Sequence, residues 1–161
     1  MAKGRKRKAA SGDVATNRRA AYRFHLLERF ECGIVLTGTE VKSLREGKAQ
    51  LKDAYAAVRD GEVWLLGVYI PPYGPASREN HEPERPRKLL LHRGEIERLV
   101  GKTHERGLTL VPTRIYFSSE RSRAKVEIAL ARGKDLHDKR ESIRDRDMAR
   151  DVQRELRDAQ R

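Results

Sequence analysis

The sequence has little of what disulfide-stabilised, membrane-spanning or secreted proteins depend on. It contains one cysteine, Cys32, in 161 residues, so no internal disulfide is possible and no CxxC pair exists. No apolar run approaches the roughly 20 residues that span a bilayer, and the basic start lacks the apolar segment of a signal peptide. We therefore expect a cytoplasmic protein in which Cys32 packs as a small apolar side chain.

Motifs for catalysis and metal binding are also missing. The histidines occur in no HxH, HExxH or cysteine-paired spacing, which argues against a metal site; they are His25, His81, His92, His104 and His137. Neither a GxSxG nucleophile motif nor a GxxxxGK[ST] phosphate-binding loop is present. The sequence therefore predicts a protein that is not an enzyme, with no metal and no cofactor.

Positive charge is what the chain has in excess. Its 36 Lys and Arg residues outnumber 24 Asp and Glu, which gives a formal net charge of +12. This balance favours a polyanionic partner, of which nucleic acid is the commonest and an anionic membrane the alternative. Residues 1–19 are rich in cations and poor in apolar groups, so they predict a disordered basic arm. Such an arm contacts phosphates or serves solubility.

Residues 31–47 change hydrophobic period and predict a strand followed by a short helix. Residues 34–36 continue an extended run that begins near Phe24, whereas Val41 and Leu44 recur at helical spacing after residues 37–39. Lys42 and Arg45 share the neighbouring helical face. We therefore expect a helix that docks on a sheet through one face and presents two cations through another.

The sequence of the remaining body, up to residue 132, predicts further strands and one more helix. Asp60-Gly61 between residues 54–59 and 63–70 predicts a hairpin, in which Trp64 belongs to the core rather than to a base-stacking surface. Strand patterns cover 22–30, 89–91, 108–111, 114–117 and 125–130, and a helix pattern covers 94–100. This mixed order favours a mainly β, Greek-key barrel over residues 20–132 rather than a doubly wound sheet.

A proline-rich stretch, residues 71–86, predicts an irregular loop. Because surface loops often carry contacts, five polar residues in or beside it are candidates for a binding edge, with solvated loop residues as the alternative. They are Tyr73, Asn80, His81, Arg85 and Arg87.

Residues 133–161 form a charged tail without enough apolar groups for a core of its own. Arg146, Arg150 and Arg154 lie in one column at helical spacing, with acidic residues in the next and Met148, Val152 and Leu156 in a third. Opposite charges three apart add only a few tenths of a kcal/mol each, so an isolated helix is marginal. We predict a tail that is unfolded alone and helical on a partner; a permanently docked amphipathic helix is the alternative.

Several sequence motifs follow one another in unbroken order. They are Asn17-Arg-Arg-Ala, Gly33-Ile-Val-Leu-x-Gly-Thr-Glu-Val-Lys-Ser-Leu-Arg-x-Gly-Lys48, Asn80-His-x-Pro, Arg87-Lys-Leu-Leu-Leu, and Gly133-Lys with Asp138-Lys-Arg. Together they resemble the small protein B (SmpB) family, the SsrA-binding proteins of bacteria. Two departures stand out, namely Asp135 where the family often has lysine and Cys32 where alanine is common.

The resemblance implies an oligonucleotide-binding (OB) barrel with peripheral helices. It also implies binding to the tRNA-like domain of transfer-messenger RNA (tmRNA) and ribosome rescue by trans-translation. The tail would enter the empty messenger channel, contact small-subunit ribosomal RNA and become helical. Elongation factor EF-Tu with alanyl-tmRNA would be an indirect partner. We expect a monomer with no membrane partner.

The resemblance implies that Glu31, Leu90 and His92 belong to the RNA-binding surface, and the matching motifs and the charge pattern add the other predicted site residues. Glu31 would accept hydrogen bonds from ribose or base donors, or would hold the binding loops, because a carboxylate repels phosphate. The predicted tmRNA-binding residues are Asn17, Arg18, Arg19, Glu31, Lys42, Arg45, Lys48, Arg87, Lys88, Leu90 and His92. The predicted ribosome-binding residues of the tail are Lys134, Asp138, Lys139, Arg140, Arg146, Arg150 and Arg154.

Two alternatives from other classes remain open on the sequence. One is a general single-stranded-RNA-binding or ribosome-associated OB module whose tail is a nonspecific anchor. The other is an RNA-modifying enzyme, which would need a cofactor pocket that no motif provides.

Overall fold

The computed structural model describes residues 12–76, 78–105, 107–118 and 123–159. Its strands and helices alternate irregularly along the chain. In order they are β1 (Asp13–Thr16), α1 (Ala20–Arg23), β2 (Phe24–Ile34), α2 (Gly38–Arg45), β3 (Tyr55–Arg59), β4 (Glu62–Leu66), a 3-10 turn (Gly74–Ala76), β5 (Arg87–Leu90), α3 (Arg93–Thr103), β6 (Leu108–Phe117), β7 (Ala124–Gly133) and α4 (Leu136–Ala159).

Antiparallel pairing closes six of the strands into a barrel. The strand order is β1-β6-β3-β4-β5-β2-β7. Strand β6 also pairs with β7, and this pairing closes the six strands from β6 to β7 into a ring. Strand β1 adds to β6 from outside this ring. The predicted mainly β barrel with short peripheral helices is therefore confirmed.

Alternating side chains fill the barrel. In β7, Val126, Ile128 and Leu130 are buried in the main core, whereas Lys125 and Glu127 on the opposite face are only partly buried. Leu44 of α2 and Leu99 of α3 are fully buried against the same core. Burying one such leucine contributes about 1.5–3 kcal/mol, so these two contacts hold the helices on the barrel.

The predicted hairpin around Asp60-Gly61 is confirmed as β3 and β4. Both turn residues have positive φ, 51° at Asp60 and 73° at Gly61, as a two-residue hairpin turn requires. The register places Trp64 opposite Ala57 and Lys88, while Val63 and Leu65 point into the core. Trp64 is only half buried and lies outside the core, so its predicted place was wrong.

The amino-terminal end of the barrel differs from the sequence prediction. Strand β1 shows that the prediction of a disordered arm is wrong for residues 13–16, and residues 1–11 lie outside the described part of the chain. Tyr22 and Arg23 belong to α1 rather than to the strand predicted over 22–30. A strand of four residues and a helix of four residues are both too short to produce a clear periodic pattern.

Pro112 does not interrupt the sheet. Strand β6 continues through it, with a register shift against β7 between Pro112 and Arg114. A proline lacks a backbone N–H, and a bulge is one of the places where a strand tolerates it. The two predicted strands around Pro112 are therefore one bulged strand.

The tail forms a helix of 24 residues. Met148, Val152 and Leu156 are each more than half exposed, so the apolar column faces solvent along the distal part of the helix. The predicted helical spacing is confirmed, and the folding of the free segment stays a prediction. Among the described residues, no helix is both long enough and apolar enough to span a membrane.

Candidate RNA-binding surface

Glu31 lies at the centre of a hydrogen-bonded network on the outer face of the barrel. The Lys125 ammonium and the Tyr116 hydroxyl donate to different oxygens of its carboxylate. The Lys125 hydrogen bond, followed by that of Tyr116, holds the Glu31 pKa below its ordinary value. The side chain is still 53% exposed. It is therefore a fixed, ionised acceptor with lone pairs left for an external donor.

The network extends sideways to the neighbouring strands. The Arg114 guanidinium lies 4.5 Å from the centre of the Tyr116 ring and 3.2 Å from Glu127. Arg29 pairs with the same Glu127 at 3.1 Å. Burial, followed by the hydrogen bond to Glu31, raises the Tyr116 pKa to about 12, so Tyr116 remains a donor near neutral pH. Sequence reasoning missed Tyr116, Lys125 and Arg114, because only strand register brings them together.

Leu90 lies beside this network and is 53% exposed. It is opposite Gly33, which is opposite Lys125 on the next strand. A Cβ at Gly33 would approach the Leu90 Cβ to 3.2 Å, so the glycine gives the leucine room. Lys88, two residues earlier, pairs with Glu62. The structure thus brings predicted residues Glu31, Leu90 and Lys88 onto one outer surface.

His92 is exposed and lies at the start of α3. Its backbone N–H donates to Glu95 at 3.0 Å, the reciprocal contact of a capped helix. It follows Leu90 by two residues and therefore lies at the edge of the same surface.

Helix α2 presents the predicted cations Lys42 and Arg45, and Lys48 follows the helix by three residues; all three are exposed. The Lys42 ammonium lies 5.5 Å from the centre of the Tyr73 ring, and Lys48 pairs with Glu46 at 2.6 Å. On the buried face of the helix, the Ser43 hydroxyl donates to the Pro71 carbonyl at 2.8 Å. This hydrogen bond fixes the rotation of α2 and therefore the face on which the cations lie. The predicted two-faced helix is therefore confirmed.

A buried ionic cluster of Glu40, Arg85 and Arg87 supports this helix. Both arginines donate to the Glu40 carboxylate, at 2.5–2.8 Å for Arg85 and 2.8 Å for Arg87. Burial raises the Glu40 pKa, but hydrogen bonds from Arg85, the Thr37 N–H and Arg87 outweigh it, so the pKa lies below its ordinary value. Glu40 was missed, although the Thr37-x-x-Glu40 capping pattern is visible in the sequence.

Two predictions need correction at this cluster. Arg87 is 0% exposed, and its guanidinium donates to Glu40 and to the Val68 and Pro83 carbonyls. A side chain without solvent access cannot reach a phosphate, so Arg87 is structural rather than RNA-binding. The Arg85 guanidinium likewise donates to Glu40 through two of its nitrogens, so Arg85 is also mainly structural.

Loop residues Asn80 and His81 are also used internally. The Asn80 side chain donates to the Tyr73 carbonyl and accepts from the Tyr73 N–H, at 2.9 and 2.8 Å. His81 Nε2 donates to the Ile70 carbonyl at 3.0 Å, and its Nδ1 lies 2.9 Å from the Thr39 hydroxyl. These contacts fold the proline-rich loop onto α2. Asn80 and His81 are therefore not the solvated loop residues of the alternative prediction.

Asn17, Arg18 and Arg19 lie at the other end of β2. The Asn17 amide donates to the Pro112 carbonyl at 3.1 Å and accepts from the Arg19 N–H at 3.2 Å. Asn17 therefore shapes the turn, and its direct contact with tmRNA stays a prediction. Arg18 and Arg19 are exposed.

The root of the tail contacts the barrel through two of the predicted ribosome-binding residues. His25 Nε2 donates to Asp138 at 3.2 Å, and this hydrogen bond is the largest cause of the lowered Asp138 pKa. Lys134 Nζ donates to the Ala21 carbonyl and to Ser142 Oγ, both at 3.0 Å. These contacts fix the direction in which α4 leaves the barrel.

Beyond the root, the arginine column is accessible. Arg146 is exposed, and Arg150 and Arg154 pair at 3.5 and 3.7 Å with acidic residues three positions earlier. Lys139 is half buried and Arg140 exposed. Arg150 and Arg154 make only surface ion pairs, which RNA phosphates can replace at little cost.

One group of possible metal ligands occurs in the described residues. Ligand atoms of His137, Asp138 and Glu141 lie within 4.8 Å of one another. None of the three is buried, and Arg140 and Arg144 line the same depression as His137 and Glu141. Neighbouring guanidinium groups oppose a bound cation, so the arrangement does not favour a metal site.

Comparisons with known proteins agree with this description. The model of the SmpB protein family matches residues 14–158. A protein named SsrA-binding protein from Syntrophobacter fumaroxidans is 59% identical over 141 residues, which is 88% of this chain and 86% of that protein. Another of that name, from Moorella thermoacetica, is 55% identical over 148 residues, 92% of this chain and 95% of that one.

A solved structure described as "tmRNA-SmpB: a journey to the center of the bacterial ribosome" is similar in sequence and in fold. It is 50% identical, has a TM-score of 0.65, and the match covers 81% of this chain and 94% of that chain. Sequence and fold thus agree over most of the molecule, and the chain belongs to the SmpB protein family.

Proposed function

We propose that this chain binds tmRNA and acts in trans-translation by delivering tmRNA to stalled ribosomes, with EF-Tu bound to alanyl-tmRNA as an indirect partner. Relatives that share more than half of its residues are named for binding SsrA RNA. The observation that carries the proposal is the combination, on one chain, of a basic barrel and a long exposed helix rich in arginine.

The barrel would hold the tRNA-like domain through the surface around Glu31. The fixed carboxylate of Glu31 would accept hydrogen bonds from a ribose 2′-hydroxyl or a base donor, and Leu90 would pack against a sugar or a base. Lys42 and Arg45 would contact phosphates from α2. This division suits a folded RNA, whose shape places riboses, bases and phosphates at fixed separations.

The tail would probe the messenger channel and the decoding site of the small subunit. Arg146, Arg150 and Arg154 would face ribosomal RNA phosphates, while Met148, Val152 and Leu156 would bury the apolar column that faces solvent here. Burial of that column on the ribosome would stabilise the helix there more than in the free protein.

Competition for the barrel tests the proposal against the general single-stranded-RNA module. With a labelled tRNA-like domain bound, unlabelled tRNA-like RNA should displace it at concentrations at least about tenfold lower than bulk single-stranded RNA, a preference of about 1.4 kcal/mol. Equal competition by the two RNAs would favour the general module instead.

Two leucine variants locate the binding surface. Leu90→Ala should weaken binding of the tRNA-like domain about tenfold, because a half-exposed leucine that becomes buried contributes about 1–2 kcal/mol. Leu156→Ala, which removes a leucine of similar exposure from the tail, is the matched control and should leave this affinity unchanged.

A further inference from the structure

A cleft runs along the barrel between the turn that follows β1 and the segment that precedes β3. One cavity of about 290 Å³ is lined by residues 15–19 and 49–52. A second, of about 200 Å³, is lined by residues of α1, by the 52–55 segment and by Phe24, Thr109 and Val111. Asn17, Arg19 and Lys52 line both, so the cavities form one continuous depression, which we call the N-terminal cleft.

The cleft is lined by several cations. Arg19, Arg23 and Lys52 line it, and within the described residues none of their side chains forms an ion pair. By contrast, three cations around Glu31 are paired with carboxylates: Lys125 with Glu31, Arg114 with Glu127, and Lys88 with Glu62. The cleft is therefore the more attractive of the two surfaces for a phosphate backbone.

One acidic residue lines the cleft. It is the exposed Asp53, whose carboxylate has no ion-pair partner in the described part of the chain. Arg18 lines the cleft as well, so four cations against one carboxylate leave the lining positive, as an RNA site requires.

An exposed aromatic ring stands at one end of the cleft. Tyr55 is 47% exposed at the start of β3, and its neighbours in the lining include the half-buried Phe24. An accessible ring beside several unpaired cations is the arrangement by which proteins bind unpaired nucleotides, with bases stacked and phosphates neutralised.

The cleft is distant from the surface around Glu31. Phe24 borders the cleft at the first residue of β2, and Glu31 lies seven residues further along the same strand. At about 3.3 Å per residue the two are roughly 20–25 Å apart. One ligand group cannot fill both places, so the cleft is a second site.

We propose that the N-terminal cleft binds a single-stranded segment of RNA, with one base stacked on Tyr55 and the flanking phosphates beside Arg19, Arg23 and Lys52. The inference rests on the proposed function for the class of ligand and extends it from a folded RNA to an unpaired segment. The site selects unpaired nucleotides, because a base inside a duplex cannot stack on a protein ring.

Binding of a short fluorescent oligoadenylate to the full-length protein tests the aromatic part. Tyr55→Ala should raise its Kd by about 5- to 140-fold, the range for loss of one base–aromatic stack. Tyr55→Phe keeps the ring and should bind like the unmodified protein. Thermal unfolding of both variants checks that the barrel is intact.

Salt dependence tests the charged part with the same oligonucleotide. Lys52→Gln should lower the slope of log K against log salt concentration by about 0.7, the value for one phosphate contact with a single strand. Tyr55→Ala should weaken binding without changing the slope. Arg59→Gln is the matched control, since Arg59 is an exposed cation at the end of β3, outside the cleft lining, and should change neither quantity.

The outcomes separate this inference from the proposed function. If Tyr55→Ala and Lys52→Gln bind the oligonucleotide as the unmodified protein does, or if no oligonucleotide binds at all, the cleft is not an RNA site. That result leaves binding of the tRNA-like domain intact. If the tRNA-like domain itself fails to bind the unmodified protein, the proposed function is wrong.

Discussion

At the scale of single residues, the ionic cluster beneath α2 positions the helix that carries the exposed cations Lys42 and Arg45. Glu40 is fully buried, yet it is ionised because Arg85 and Arg87 both donate to it. Removing one partner of a buried pair leaves an uncompensated charge, which costs far more than breaking a surface pair. The cluster therefore joins α2, the proline-rich loop and β5 into one rigid support.

We predict that Glu40→Gln destabilises the fold by about 3 kcal/mol or more, because Arg87 stays buried without its counter-charge. The measurement is the free energy of unfolding in urea. Glu46→Gln, which breaks the exposed Lys48–Glu46 pair, is the control and should cost less than about 1 kcal/mol. Equal stabilities of the two variants would contradict a supporting role for the cluster.

The same carboxylate makes stability depend on pH. Its folded pKa is lowered below the ordinary value of 4.5, so its contribution is complete above that pH and is lost as pH falls through the folded pKa. The unmodified protein should therefore lose more stability below pH 4.5 than Glu40→Gln does. Parallel pH profiles of the two proteins would count against this assignment.

At the scale of elements, the tail helix differs from the rest of the fold because its distal side chains, as far as the structure describes them, are exposed. Its contacts with the barrel lie at its root, at Lys134 and Asp138, and its distal apolar side chains are exposed. A helix without a packed face depends on propensity and on pairs such as Asp147–Arg150, each worth a few tenths of a kcal/mol. Such a helix is marginal in water.

We predict that the free tail is largely unfolded in solution. The far-ultraviolet circular dichroism of the full chain, minus that of a chain ending after Gly133, should show mainly coil. The helical signal should appear when trifluoroethanol stabilises helices. A difference spectrum corresponding to 24 helical residues in buffer alone would contradict the prediction and favour a permanently formed helix.

Elements defined by local pattern were predictable, and contacts between distant residues were not. Helix α2 could be predicted because Thr37, Val41 and Leu44 carry its cap and its spacing within a few residues. The burial of Arg87 could not, because its partner Glu40 is 47 residues away in sequence and a strand pattern does not reveal which cation points inward. The contact of His25 with Asp138 spans 113 residues and depends on the closure of the barrel.

The residues of the candidate site also divide into those that the sequence could identify and those that only the fold brings together. Glu31 and Leu90 were found through the family resemblance, whereas Tyr116 and Lys125 were not, since the register of β2, β7 and β6 alone places them on Glu31. The N-terminal cleft was also invisible in the sequence, because Tyr55 and Arg19 meet only through the fold.

At the scale of the whole molecule, the basic charge is concentrated on the barrel and the arm. The residues after Gly133 contain nine Lys or Arg against eight Asp or Glu, so the tail carries almost none of the net charge of +12. Electrostatic attraction to RNA therefore belongs mainly to the part of the chain before the tail. The tail, with its ordered columns, is suited to a specific fit instead.

The most direct test of this division is a chain that ends after Gly133, measured for tmRNA binding and for tagging of stalled products. We predict a Kd for tmRNA within about tenfold of the full-length value, because the deletion removes only one net positive charge, together with complete loss of tagging. Tagging by the shortened chain at the full-length rate would contradict the separate roles of barrel and tail.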